Sequence, residues 1–216
     1  DWSSDVCSSD LSPWRARMSA ETGQPLQHVD LPLEIYQESS GGEHWQSRNH
    51  VNRDGVVPMG FRGYRVRSGG NESHALRATP VLTLLDGRSQ VSVAHCRFWQ
   101  RFPKAFEATP ECLSVRLLPG QFPDVHELQG GEQLTEEFVV CFGPDTVTES
   151  PLEWVRSPVR VSLPATWLCG AEALPHLTPL GVHDDPDYVA RVMSALEGEH
   201  SFDRKRERID EYGWRH

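Results

Sequence analysis

The chain is predicted to be mainly β, an antiparallel β-sandwich that hands over to helix near residue 164. Three observations carry this. Apolar residues recur every second position in short runs between Leu31 and Leu163. Turn pairs separate those runs: Asp54-Gly55, Ser68-Gly69-Gly70, Asp86-Gly87, Pro119-Gly120 and Gly143-Pro144. Beyond about residue 186 the period changes to that of a helix.

Taken in order, residues 1–11 (DWSSDVCSSDL) repeat Ser-Ser-Asp and carry three Asp without a base. They resemble translated sequencing-adapter read-through and are set aside as an artefact or a polar tail; no basic n-region marks a signal peptide. Residues 12–30 are polar and aperiodic and are expected to be loop. The sandwich is expected over 31–164, with seven or eight strands. Phe61–Val66 alternates aromatic or apolar with polar or small residues. Gln90–Trp99 places Val91, Val93, His95, Arg97 and Trp99 on one face and Ser92, Ala94, Cys96 and Phe98 on the other. Leu113, Val115 and Leu117 repeat the two-residue period. Glu137–Phe142 reads as a strand buried on both faces, and Val159–Leu163 as a short one. Asp86-Gly87 between two apolar runs is the clearest hairpin signal. Residues 165–183, with Pro175 and Pro179, read as a linker. Residues 184–216 begin a helical part: Val189, Val192, Met193 and Leu196 share one face, and Asp184, Asp185 and Asp187 suit a helix N-terminus. A second helix starts at Ser201–Ile209, and the pattern at both ends reads as a fragment of a longer protein.

Composition narrows function. The 216 residues carry 31 acidic and 21 basic side chains, a net charge of −10, which argues against binding nucleic acid or an anionic membrane through bulk charge. Apolar runs such as Phe138–Phe142 fall far short of the ~20 residues a membrane-spanning helix needs. With Cys7 set aside, Cys96, Cys112, Cys141 and Cys169 show no paired spacing for zinc or a redox couple. This lack of a cysteine framework favours the cytoplasm over an extracellular or periplasmic setting.

Three segments combine polar, aromatic and Gly residues beyond what a plain sandwich needs. In Gln37–Arg53 (QESSGGEHWQSRNHVNR), Trp45 offers a flat face, and Gln46, Arg48, Asn49 and His50 offer hydrogen bonds. That set suits a sugar, or an ordered loop anchored by one Trp. In Val125–Gln133 (VHELQGGEQ), His126 stands beside Glu127, with Gln129 and Glu132 nearby; a carboxylate can fix the tautomer of a general base. Glu127 and Glu132 around Gly130-Gly131 could also meet calcium, but no EF-hand spacing supports it, and no cofactor or metal is expected. In Arg97–Lys104 (RFWQRFPK), Trp99 and Phe102 accompany three cations suited to a uronate or to a solvated strand end. His28, His74, His176, His183 and His200 show no ligand spacing.

Together, SSGGEHWQSRNHVNR at 39–53, FRGYRV at 61–66, FWQRFPK at 98–104, HELQGGEQ at 126–133 and IDEYGWRH at 209–216 resemble one family. It is the exo-rhamnogalacturonan lyase-like (YetA-like) polysaccharide lyases, and the resemblance runs in order over about 31–216. It implies the later part of a central β-sandwich followed by the first helices of an α/α toroid. The implied reaction is β-elimination on rhamnogalacturonan-type acidic polysaccharide, needing a base, a cation on the carboxylate and a platform for the ring. On chemistry, His50 and His126 are the base candidates and Arg48 the carboxylate partner. Trp45 and Trp99 are stacking surfaces, and Gln46, Asn49, Glu127, Gln129 and Glu132 orient hydroxyls. The expected partners are an acidic oligo- or polysaccharide and the rest of a longer chain, without which the fragment is expected to be inactive. The alternatives are a non-catalytic carbohydrate-binding or scaffold sandwich, and a hydrolase using Glu43, Glu127 or Glu132 as paired carboxylates.

Overall fold

The structure is a computed structural model that describes residues 3–7, 14–128, 130–179 and 185–213. Gln129, residues 1–2 and 8–13, linker residues 180–183, Asp184 at the expected helix start and residues 214–216 lie outside the described residues. The strands are β1 (Ser3–Cys7), β2 (Arg15–Ser19), β3 (Gln27–Val29), β4 (Leu33–Gln37), β5 (Tyr64–Ser68), β6 (Asn71–Ala75), β7 (Val81–Leu85), β8 (Gln90–His95), β9 (Lys104–Ala108), β10 (Cys112–Arg116) and β11 (Phe138–Phe142). The helices are α1 (Glu153–Arg156), α2 (Ala165–Gly170), α3 (Pro186–Leu196) and α4 (Phe202–Ile209). The chain divides into two units, residues 1–158 with 209–216, and residues 159–208.

The first unit is mainly β. One antiparallel sheet runs β1-β10-β9-β4-β5-β6 and the other β11-β8-β7-β2-β3. Alternate residues of both sheets meet in one core: Leu33 and Ile35, Phe106 and Ala108, and Leu113 and Val115 from the first; Ala16 and Met18, Leu82 and Leu84, and Val91 and Val93 from the second. The two-residue period supplies that core, because every second side chain of a strand points to the same face. The arrangement is sandwich-like. On the far face of the second sheet, Val81 and Ala94 pack with Leu152 and Val155 of the α1 region. Arg156 fastens this helix by donating to Ser19 Oγ, Glu21 O and Thr79 O.

The Asp86-Gly87 hairpin forms as expected between β7 and β8. Gly87 takes φ +91°, and Asp86 Oδ1 accepts the Arg88 and Ser89 N–H groups. Several expectations are corrected. Residues 12–30 are not all loop: β2 lies inside the second sheet between β7 and β3, where Ala16 and Met18 point to the core and Arg15 and Arg17 outward. Gln90–Trp99 is not one strand. β8 ends at His95, whose Nδ1 takes the Arg97 N–H, and the chain turns into a 3₁₀ turn at Trp99–Arg101. β11 is an edge strand and only partly buried, with Phe142 74% exposed. Val159–Leu163 forms no strand, and its apolar side chains lie exposed. Eight strands, β4–β11, lie within 31–164, in line with the seven or eight expected there, and β1–β3 precede them among the described residues.

In the second unit, α2 interrupts the expected linker. α3 starts as its sequence suggests, with Pro186 in the first turn and the Asp185 carboxylate accepting the Asp187 N–H. No hydrophobic side chain is buried among the described residues of this unit; Trp167, Tyr188, Leu196 and Phe202 are all exposed.

Candidate functional site

The site grows from a polar stretch that leaves the end of β4. Gln37, Glu38, Ser39 and Ser40 are all buried, so each needs internal partners. Gln37 donates to Ser39 O and Leu76 O and accepts the Ala78 N–H. Ser39 Oγ accepts the Gly63 N–H. Glu38 Oε1 accepts the N–H groups of Gly60 and Phe61; burial nevertheless raises its carboxyl above the ordinary range. Gly41 follows at φ +70°, where an added Cβ would lie 2.0 Å from Leu76 O. Only glycine fits that backbone approach.

The chain then enters a 3₁₀ turn at Arg48–His50, started by Ser47 Oγ accepting the Asn49 N–H. This turn holds the segment around Asp210. Ser47 Oγ and Asn49 Nδ2 both donate to Ile209 O, at 2.8 and 2.7 Å. His50 Nε2 lies 2.6 Å from Asp210 Oδ2, and Ser40 Oγ donates to Asp210 Oδ1 at 2.6 Å. Asp210 is fully buried, with φ +53°. Its carboxylate therefore organises two segments that lie far apart in sequence.

An aromatic cluster borders this tie. Met59, Phe102 and Tyr212 form its buried centre, with Trp45, Trp99 and Phe122 packed around them. Trp99 and Tyr212 lie 4.9 Å apart, and the Arg77 guanidinium sits 4.1 Å over the Trp99 ring. His50 meets Phe102 edge-on at 5.3 Å.

His50 and His126 line one small pocket together with Met59, Phe102, Phe122 and Asp124. Its volume is about 30 Å³, room for roughly one water rather than a sugar ring. The His126 ring stacks on Phe122 at 5.3 Å, and Nε2–H donates to Pro119 O at 3.0 Å. Burial, aided by the Lys104 charge, holds His126 below the usual histidine range, against the Pro119 bond. His50 Nδ1 is buried without a hydrogen-bond partner. A carboxylate on Nε2–H leaves Nδ1 as the basic lone pair, the preparation a general base requires.

The sequence-derived site residues are thus only partly gathered. His50 and His126 share the pocket, and Trp45 and Trp99 join the adjoining cluster. Asn49 is committed to Ile209, while Arg48 and Gln46 are exposed and do not line the pocket. Glu127 pairs with Arg53 at 3.0 Å, Glu132 is exposed, and Gln129 lies outside the described residues. Among the described residues, no group of three or more His, Cys, Asp or Glu is placed to hold a metal. Sequence reasoning missed Asp210, Ser40 and Arg77. The only available signal was that Asp210 stands in one of the polar-aromatic motifs, with nothing local to pair it with His50. The chain matches no protein-family model, no curated protein and no solved structure.

Proposed function

We propose that the chain is part of a polysaccharide lyase that cleaves rhamnogalacturonan-type acidic polysaccharide by β-elimination at a uronate. The observation that supports this reading is the buried His50–Asp210 pair, with Nδ1 left unpartnered beside the pocket shared with His126. In the proposed reaction His50 Nδ1 takes the proton from C5, α to the carboxylate. The C5–H electrons form the C4–C5 double bond, the C4–O bond breaks, and the departing oxygen takes a proton from solvent. Asp210 acts as a positioning residue that stabilises the imidazolium as it forms. Helices α3 and α4 are, on this reading, the first helices of an α/α toroid.

The test is ultraviolet absorbance from an unsaturated uronate when the longer protein carrying this segment meets rhamnogalacturonan. The expected loss for folded His50→Gln is about 10²–10⁴-fold. Undiminished elimination in that variant would remove His50 from the chemistry, and no unsaturated product from the wild type would overturn the lyase reading. The small pocket favours a second reading, in which the two-sheet unit binds carbohydrate or serves as scaffold and His50–Asp210 is a structural tie. In that case His50→Gln would lower thermal stability and leave turnover by the folded protein intact.

A further inference from the structure

On the other side of the Arg97–Lys104 segment lies a second cavity of about 170 Å³, lined by His95, Arg97, Arg101, Thr135, Glu136 and Glu137, with Cys96 at its wall. Its walls are held from behind. His95 Nδ1 accepts the Arg97 N–H at 3.0 Å, while Nε2–H donates to Glu136 Oε2 at 2.9 Å. One buried imidazole therefore fixes both the start of the arginine segment and the carboxylate opposite. Lys104 Nζ lies 3.2 Å from Glu136 Oε1 and donates to Leu117 O at 2.9 Å. The side chains of His95, Glu136 and Lys104 are 2%, 6% and 2% exposed, so this base is built rather than solvated.

The rim is different. Among the described residues, neither the Arg97 nor the Arg101 guanidinium has a hydrogen bond or an ion pair, and the exposed Glu137 carboxylate and Thr135 hydroxyl stand beside them. Glu136 is already balanced by Lys104, so the two arginines against Glu137 leave positive charge in excess. Burial is the main cause holding Lys104 below the usual lysine range; Glu136 opposes it, and the Arg101 charge adds to it.

We propose that this cavity binds a small hydroxy acid, its carboxylate between Arg97 and Arg101 and its neighbouring hydroxyls on Glu137 and Thr135. Guanidinium groups bind a carboxylate by charge-assisted, geometrically specific hydrogen bonds. Carboxylate and hydroxyl oxygens alongside them accept from the hydroxyls that a plain acid lacks. The site is separate from the His50 pocket and does not depend on elimination chemistry.

The test titrates the chain with D-galacturonate and D-gluconate, a ring acid and an open-chain acid, and follows backbone amide shifts by NMR. Acetate, D-galactose and sulfate serve as controls. Binding of either hydroxy acid with shifts at Cys96–Arg97 and Thr135–Glu137 is expected, with acetate and galactose at least about tenfold weaker. Arg97→Met and Arg101→Met, both on the rim and outside the buried base, should each weaken binding about tenfold, as loss of a hydrogen bond to a charged group predicts. No shift at those amides, sulfate binding as tightly as the hydroxy acids, or undiminished binding in a folded double variant would overturn the proposal. This readout is binding by the chain itself, whereas the lyase reading is judged by product absorbance, so either can fail alone.

Discussion

His50 Nε2 and Asp210 Oδ2 lie 2.6 Å apart although 160 positions separate them in the chain. The bond is fully enclosed, with His50 and Asp210 side chains 3% and 0% exposed. Ser40 occupies the other carboxylate oxygen, and Ser47 and Asn49 hold the neighbouring Ile209 carbonyl. The residues around Asp210 are thereby built into the first unit by polar contacts at Asp210 and by aromatic packing at Tyr212.

Removing that carboxylate strands two buried donors. Asp210→Ala is expected to destabilise the first unit by about 3 kcal/mol, because an uncompensated buried partner costs more than an absent pair. Asp210→Asn, which keeps an acceptor for Ser40, should cost about half as much. Urea unfolding measures both. A loss under about 1 kcal/mol for the alanine variant would mean that water replaces the carboxylate.

Two glycines with nearly the same backbone angle should respond differently to alanine. Gly41 and Gly55 have φ +70° and +73°, but a Cβ at Gly41 would strike Leu76 O while one at Gly55 meets open space. Gly55→Ala should cost only the left-handed conformation, about 1 kcal/mol. Gly41→Ala adds a backbone displacement and should cost at least about twice that. Paired melting curves decide it; equal shifts would contradict the close approach.

Two buried carboxylates should give pH dependences of opposite sign. For Glu136, burial raises the carboxyl, but the His95 hydrogen bond and the Lys104 charge outweigh it and hold it below the ordinary 4.5. Its stabilisation is present above pH 4.5 and is lost as pH falls through the depressed value. Glu38 is raised above 4.5 by burial, so its contribution is complete below 4.5 and is lost as pH rises through the raised value. In urea unfolding from pH 3 to 8, Glu38→Gln should flatten the fall on the rising side. Glu136→Gln should remove part of the acid limb and also cost about 3 kcal/mol, by leaving Lys104 buried without its counter-charge. Unchanged profiles in both variants would contradict the assignments.

His126 should titrate below its ordinary 6.5, as followed by NMR of the imidazole. The unfolded chain binds the proton more readily than the folded one, so stability falls as pH drops from 6.5 through the depressed value. Phe122→Ala, which opens the stack and hydrates the ring, should move the midpoint back towards 6.5. A midpoint at or above 6.5 in the wild type would refute the burial seen around this ring.

Much of the fold was legible locally. Leu82 and Leu84, Val91 and Val93, and Leu113 and Val115 show the two-residue period and do face the shared core. Asp86-Gly87 specified its own turn, and Asp185-Pro186 its own helix start. β2 was missed because Arg15, Arg17 and Ser19 made a short polar-looking stretch in which only Ala16 and Met18 alternate. β11 was misjudged because an apolar run reads alike at the centre and at the edge of a sheet. For the site, the residue types were legible and their neighbours were not. Arg48 and His50 sit two positions apart, yet the 3₁₀ turn buries one and leaves the other in solvent.

By itself the sequence determined the strands with a clear two-residue period, such as β8 and β10, the central hairpin and the start of helix α3, since side-chain period, glycine angles and capping act over a few residues. Only the tertiary structure decided which strands lie at an edge, that Asp210 reaches His50, and that His126 shares a pocket with it. It alone also placed an arginine rim over the His95–Glu136–Lys104 base. These outcomes depend on contacts between residues far apart in the chain, and burial of a charge or an imidazole is a property of whatever packs against it.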